Sequence, residues 1–361
     1  LIGGSGSGRL AASFLPGNEA MATTVYDIAR AAGVGRTTVL RALWDRDDIS
    51  PETKDRIKKI AVEMKYRPNH IARSLVMGHS NMVGVMATPS VFPTSYSTIE
   101  LIESELRDAD YSMLLSSSGG HPGGERRALE QLVANRVAGV IAIPASHSAD
   151  PEVYQELLDS GVKVVIIDRC VEGLKAPQVI GDDYRAAKVA TEHLISLGHK
   201  RIVYLAIPQT SYSGRERIRG FGDAMSEAGL RVTASSIIET QFGEEFGSAA
   251  TEELLKWKNP PTAILARHDI VAAGVIRAVY ANGLSIPEDI SVVGNGDIWC
   301  SDILRVPLTT VRHPIMDMAR NALRKLLAML SGASVEPTVE VLGVELTMRM
   351  STAPPKLEVR G

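Results

Sequence analysis

Apolar positions recur at helical spacing in three short bursts between residues 24 and 64. Ile28, Ala29 and Ala32 share one face, Val39, Ala42 and Leu43 a second, and Ile57, Ile60, Ala61 and Met64 fall at i, i+3, i+4, i+7. Thr24-Val25-Tyr26-Asp27 has capping-box spacing, and Gly33-Val34-Gly35 separates the first two bursts. Ser50-Pro51-Glu52 supplies a cap, a first-turn proline and an acid at the positive end of the third helix. Tyr66-Arg67-Pro68-Asn69 reads as a connector, with Asn69 capping a short helix from His70 to about Val76, and Gly78-His79-Ser80 leads onward.

From residue 82 the period changes. Apolar runs at Val83–Ala87, Tyr111–Ser116, Gly139–Ile143, Lys163–Ile167, Arg201–Ala206, Ile237–Thr240, Ala263–Ala266 and Ser291–Val293 are expected as strands. Helices are expected at Thr98–Ala109, Glu125–Ala134, Glu152–Asp159, Ala186–Leu197, Arg217–Ala228, Glu245–Trp257 and Ile270–Ala281. Continuous apolar strands alternating with helices predict an α/β fold with parallel sheets covered on both faces. So many units exceed one open sheet, so two doubly wound lobes are expected, dividing near residues 178–184. Ligands of such sheets lie beyond the strand C-termini. Asp168, Asp182, Asp183, His268, Asp269 and Asp297 follow the expected strands, which points to a polar cleft between the lobes.

Composition narrows the class. The 361 residues are 45% apolar and 22% charged, with mean hydropathy +0.03, which excludes wholesale disorder and collagen-like structure. No apolar run approaches the roughly 18 residues that span a bilayer, so no membrane partner is expected. Cys170 and Cys300 are too few for a disulfide scaffold, and a reducing cytoplasm fits best. Residues 21–80 carry a surplus of four positive charges and residues 81–361 a surplus of seven negative ones, so an anionic partner is expected for the first part. Residues 1–20 are Gly/Ser-rich and read as a linker or non-native extension, with Met21 the expected start. Leu10–Leu15 is too short for a signal-peptide core. Gly4-Ser5-Gly6-Ser7-Gly8 has no preceding strand and so is not read as a phosphate loop.

Tyr26 to Leu43 has the outline of a helix-turn-helix, whose second helix can enter a major groove about 12 Å wide. Arg36, Thr37 and Thr38 begin that second helix, and Arg41 lies one turn on from Thr37. Arg can fork onto guanine, and a Thr methyl can meet the thymine methyl. A plain three-helix bundle with the same residues solvated fits the spacing equally well.

The run TVYDIARAAGVGRTTVLRAL followed by ISPETKDRIKKIAVEMKYRPNHIARSL resembles the headpiece of the lac-repressor (LacI/GalR) family of bacterial transcriptional regulators. VIIDR, GHKRIVYL, RERIRGF, DISVVGNGD and PLTTVRHP resemble that family's sensor core, and the likeness spans about residues 23–353. It implies a headpiece at 21–67, a hinge helix at 68–80, a two-lobe core of periplasmic-binding-protein type at 81–353, and a tail at 354–361. Arg36, Thr37, Thr38 and Arg41 fall where the family reads DNA, and Tyr26, Ser50, Thr53, Tyr66 and Asn69 where it holds phosphates. Ala72 and Leu75 fall on the hinge helix, where the family's Leu wedges into the minor groove. Thr88, Asp168, Arg217, Phe242, His268 and Asp297 are the implied effector contacts: Asp168 for hydroxyls, Arg217 for a hydroxyl pair or carboxylate, and Phe242 for stacking on a ring.

The chain departs from the pattern in both parts. Gly35 and Leu40 stand where the family usually has Ser, and Trp44 replaces a usual Asn. In the core, His268-Asp269 stands for Asn-Asp, and Gly294-Asn295-Gly296-Asp297 for Gly-Phe/Tyr-Asp-Asp, so an effector carboxylate is missing at Gly296. A site that loses an acid and gains an imidazole could suit an acidic or phosphorylated ligand, with Arg217 and His268 as donors.

The expectation is therefore a homodimeric regulator, most simply a repressor. Its partners would be a pseudo-palindromic DNA duplex and a small effector such as a sugar or sugar derivative. No Leu heptads follow Met350, so a lac-type tetramer is not expected. Scattered histidines without an H-x-x-x-H pair give no metal site, and no cofactor or catalysis is expected. A solute-binding protein with the same core, or a nucleotide-dependent dehydrogenase, are the alternatives. The headpiece argues against the first, and the missing glycine fingerprint after Val83–Ala87 against the second.

Overall fold

The structure is a computed structural model of the 361-residue chain; it describes residues 23–66, 80–87, 92–119, 122–144 and 149–356. The chain divides into two compact units, Leu1–Val76 and Met77–Gly361.

In the first unit three helices, α1 (Val25–Ala32), α2 (Arg36–Leu43) and α3 (Pro51–Glu63), bury one small core. Ile28, Ala32, Val39, Ala42, Ile57 and Ala61 are its buried members, so the helical-period pattern marks the inward faces of all three helices. The Asp27 carboxylate accepts hydrogen bonds from the Thr24 backbone N–H (2.9 Å) and hydroxyl (2.6 Å), closing the N-terminus of α1. Gly33 ends that helix in the left-handed region at φ 65°. Ser50 caps α3 by accepting from the Thr53 N–H. Gly35 leaves α2 without a side-chain cap.

The second unit holds two six-stranded sheets. The first runs β11-β5-β4-β3-β1-β2, with β1 (Met82–Ala87), β2 (Ser112–Ser117), β3 (Gly139–Ala142), β4 (Lys163–Asp168), β5 (Gln178–Gly181) and β11 (Val339–Leu342). The second runs β12-β10-β9-β8-β6-β7, with β6 (Ile202–Ala206), β7 (Ile237–Glu239), β8 (Ala263–Ala266), β9 (Ser291–Gly296), β10 (Thr309–Arg312) and β12 (Glu345–Thr347). All pairings are parallel except β10 with β12.

Alternation along each strand feeds two helix layers. Val83, Val85, Val165 and Ile167 face α4 (Phe92–Asp108) and α11 (Ile315–Leu330), while Met86, Val140, Val164 and Ile166 face α5 (Pro122–Ala134) and α6 (Pro151–Asp159). In the second lobe Val203, Leu205 and Ile264 face α9 (Glu244–Leu255) and α10 (Asp269–Ala281), and Tyr204, Leu265 and Val311 face α7 (Asp183–Ser196) and α8 (Tyr212–Glu227). Each fully buried aliphatic side chain contributes about 1.5–3 kcal/mol.

The expected division near residues 178–184 coincides with the passage from β5 to α7, but the chain crosses twice more. After β10 it returns, so that α11 and β11 complete the first lobe, and between β11 and β12 it passes back. Strands β5, β10, β11 and β12 and helix α11 are not among the elements expected from the apolar runs. The three crossings touch. The Asp182 N–H donates to the Leu342 carbonyl at 2.9 Å, and a Cβ on Gly181 would stand 2.4 Å from Nδ1 of His313. Glycine at 181 is thus what lets the first two crossings lie side by side.

Asp269, at the start of α10, knits the second lobe. Its carboxylate accepts from the Ile298 N–H (3.0 Å), the Ser301 hydroxyl (2.7 Å) and the Thr310 hydroxyl (2.5 Å). Asp269→Ala strands these buried donors and should lower the stability of the core by at least about 3 kcal/mol in urea unfolding. An unchanged midpoint would show that the clamp contributes nothing.

Candidate nucleic-acid interface and effector cleft

Helix α2 buries Val39 and Ala42 and turns Arg36, Thr37 and Arg41 outward; Thr38 is half-buried. Arg36 is already engaged: its Nη1 donates to the Tyr26 hydroxyl at 2.7 Å, and its guanidinium lies 5.3 Å from the Tyr26 ring centroid. Tyr26, an expected phosphate contact, is therefore adjacent to the expected base reader. Arg41 pairs with Asp48 at 2.8 Å, a partner that spacing alone does not reveal. Ser50 and Thr53 form a second group, with the Ser50 hydroxyl donating to that of Thr53 at 2.9 Å. Tyr66 is half-buried and packs against the three-helix core. Asn69, Ala72 and Leu75 lie outside the described residues.

The other functional residues gather in the second unit, where strands end. Asp168 terminates β4 in the left-handed region, φ 72°, and burial pushes its carboxyl above the usual range against the opposing pull of Arg169. Arg169 donates to the Pro144 carbonyl at 2.7 Å. Buried Glu125, in the first turn of α5, accepts from the buried Tyr154 hydroxyl.

From the second lobe comes Arg217 on α8. Its Nε donates to the buried Asp183 carboxylate at 2.5 Å, and its Nη1 to the Arg267 carbonyl at 3.0 Å. Asp183 begins α7, immediately after the first crossing, so this pair braces the junction itself. Arg267 is buried and donates to the Thr240 carbonyl. Burial brings its guanidinium down to about 10, with Arg217 and Arg169 adding to that effect. The Thr240 hydroxyl is buried without a hydrogen-bond partner among the described residues.

His268 caps α10, its Nδ1 accepting from the Ile270 N–H at 3.2 Å. Its ring meets Phe242 edge-on, centroids 4.8 Å apart. Burial pushes this imidazole down to about 3, and the neighbouring Arg217, Arg267, Arg169 and His313 act in the same direction. His313 follows β10, pairs with Asn295 Oδ1 at 2.8 Å, and is pushed by burial down to about 4.

The structure thus brings Asp168, Arg217, Phe242 and His268 to one end of the two sheets and adds Arg169, Asp183, Arg267 and His313. The signal for Arg267 is a charge ending the apolar run Ala263–Ala266. The role of Asp183 shows only when α7 and α8 are packed. Both oxygens of Asp297 pair with arginines, Arg312 (2.6 Å) and Arg349 (2.6 Å), so it fastens β9 to β10 and to the segment after β12. Thr88 lies outside the described residues. Burial pushes the Cys170 thiol up to about 11, as expected of an unreactive thiol. Among the described residues no cluster of three or more His, Cys, Asp or Glu could hold a metal, and no helix is long and apolar enough to cross a membrane.

A three-helix headpiece with an outward basic face, followed by a two-lobe core with polar strand ends, defines the class of ligand-responsive DNA-binding regulators. Residues 24–69 match the model of the lacI family of bacterial regulatory proteins, and residues 191–352 that of a periplasmic binding protein-like domain. The chain belongs to the LacI family of bacterial transcriptional regulators. It is 32% identical over 335 residues to the HTH-type transcriptional regulator DegA of Bacillus subtilis (strain 168), covering 92% of this chain and 99% of that protein. Among solved structures, the lac repressor dimer bound to operator and the anti-inducer ONPF superimposes with TM-score 0.80 at 26% identity, covering 92% and 99% of the two chains. The transcriptional regulator CelR–cellobiose complex gives TM-score 0.69 at 28% identity, covering 91% and 99%.

Two predictions follow from this geometry. A Cβ at Gly35 meets nothing within 4 Å and its φ is −69°, so Gly35→Ser restores a cap without strain. It should raise headpiece stability by a few tenths of a kcal/mol in thermal unfolding, and a loss would refute the reading of α2 as uncapped. The second concerns His268. The unfolded imidazole takes up its proton near pH 6.5, whereas the folded one resists until about 3, so the core loses stability as pH falls below about 6.5 and gains nothing above it. His268→Asn keeps a cap acceptor and should reduce that acid loss by up to about 1.4 kcal/mol per pH unit between pH 6 and 4.5. Unfolding curves that stay parallel for the two proteins across that range would contradict it.

Proposed function

We propose that the protein is a homodimeric, sequence-specific repressor whose operator affinity is set by a small molecule, a sugar or sugar derivative, held between the lobes. The observation that carries this reading is the pairing, in one chain, of an outward Arg36-Thr37-Arg41 face with a cleft assembled from strand ends. Arg36 reads a base edge, Thr37 and Arg41 flank it, and Tyr26, Ser50 and Thr53 hold phosphates that fix register. Asn69, Ala72 and Leu75 are assigned to DNA on the resemblance, Asn69 to a phosphate and Leu75 to a minor-groove step. The site of action is the cytoplasm, and the reading assigns the chain no catalysis.

A dimer suits the second lobe. Trp299 and Ile303 stand 68% and 69% exposed in the turn after β9, close in sequence to Leu304 and Arg305, which with Tyr280 line a cavity of about 560 Å³. Two large apolar groups in open water are what a second copy would cover. One headpiece serves one half-site, so two copies match a twofold-related duplex. A ligand that prefers one lobe arrangement shifts the distance between the paired headpieces, and its effect on DNA affinity is bounded by that preference.

Selection of bound duplexes from a random pool by the full-length protein should return a twofold-symmetric site. Arg36→Ala should then relax the preference at one position in each half and cost about 1–3 kcal/mol. An unaltered preference at every base would remove Arg36 from the reading set, and failure to enrich any sequence would overturn the proposal.

A further inference from the structure

The effector cleft lacks one group that its own geometry calls for. Nδ1 of His268 accepts from the Ile270 N–H, so in the neutral ring the proton sits on Nε2, which is held as a donor. The space in front of that donor is opened by Gly296: a Cβ there would stand 3.5 Å from His268 Nε2 and 3.5 Å from Asp269 Oδ2. The resemblance leads one to expect an acidic side chain at 296, and a Cβ there would touch this nitrogen, Asp269 Oδ2 and Ile298 Cγ2. Among the described residues no side chain takes that place. Asp269 and Asp297 do not fill it, because the first is committed to Ile298, Ser301 and Thr310 and the second to Arg312 and Arg349.

The charges around the space agree. Arg267, one residue before His268, has the Thr240 carbonyl as a hydrogen-bond acceptor, and Arg217 approaches its backbone within 3.0 Å. Arg217, Arg267 and Arg169 all act on His268. Asp183 offsets Arg217 and Asp168 lies beside Arg169, while Asp269, which borders the space, spends its carboxylate on three hydrogen bonds. The unpartnered Thr240 hydroxyl and the Phe242 ring supply a polar and an apolar contact for the remainder of a polyol ring.

We propose that the ligand brings the anion the protein omits: a sugar derivative whose carboxylate or phosphate sits before His268 Nε2, in the space left by Gly296, near Arg217 and Arg267. This deepens the reading of the cleft as the effector site and rests on it. A fixed N–H donor that cannot accept favours an acceptor-only group, and a charge-assisted bond is roughly twice as strong as a neutral one.

The test is calorimetric titration of the full-length protein at fixed ionic strength with D-gluconate, D-glucuronate, D-glucose 6-phosphate and neutral D-glucose, together with the corresponding galactose series. At least one acid should bind, with its neutral parent at least about tenfold weaker. The carboxylate and phosphate arms decide which anion is held. His268→Asn, which keeps a cap acceptor, should weaken the acid about tenfold and narrow the gap between the acid and its neutral parent. Gly296→Asp, which must adopt φ +134°, should abolish acid binding while the core keeps a cooperative urea unfolding transition; if it does not, His268→Asn alone decides. Neutral members binding as tightly as the acids, or acid binding indifferent to both substitutions, would overturn the proposal and leave the effector reading standing. No binding by any member would count against both, and duplex selection by the same preparation would then decide whether the DNA-binding reading survives.

Discussion

Three strands of polypeptide pass between the lobes, and they pass at one place. Gly181 admits the ring of His313, Asp182 bonds to the Leu342 carbonyl, and Asp183 pairs with Arg217 immediately beyond. Each lobe is separately close-packed around its own sheet, so neither can deform gradually; what remains soft is the angle between them. The polar strand ends converge beside the same junction. A molecule bound there must touch the parts whose relative position it alters, which is the condition for a ligand to bias a two-state element.

The composition of the cleft follows from that placement. Parallel strands leave their C-terminal loops as the natural ligand face, and the lobes present those loops to the site from both sheets. One buried and two half-buried arginines in one region are costly unless paired or hydrogen-bonded. Asp183, Asp168 and the carbonyls of Pro144, Thr240 and Arg267 serve that purpose. The neutral histidines then act as oriented polar groups rather than charges.

The headpiece was almost fully legible from residue spacing, because its helices are short, capped and one-sided: the apolar set at Ile28, Val39 and Ile57 is its core. Eight apolar runs of the sheets were equally plain. Four strands were not: Gln178–Gly181 and Thr309–Arg312 carry only one or two aliphatic residues, and Val339–Leu342 and Glu345–Thr347 are edge strands that stay partly exposed. The return of α11 to the first lobe depends on where Leu323 and Leu326 find an uncovered sheet, a tertiary fact with no local signature. In the cleft, Asp168, Asp183 and His268 could be named from the strand ends and Arg217 and Phe242 from the resemblance, whereas Arg267 became a functional candidate through partners distant in sequence. Asp297 has a role that its place at a strand end does not reveal, the pairing with Arg312 and Arg349.

The central claim is that a hinged core holds two headpieces at a set distance. The most direct measurement is the affinity of the full-length protein for a series of duplexes carrying the selected half-site twice, with the central spacing varied by single base pairs. Affinity should peak at one spacing and fall by at least about tenfold half a helical turn away, where only one headpiece can engage. An affinity that is flat across the series would mean that the headpieces bind independently of the core, and the account of regulation by lobe geometry would fail.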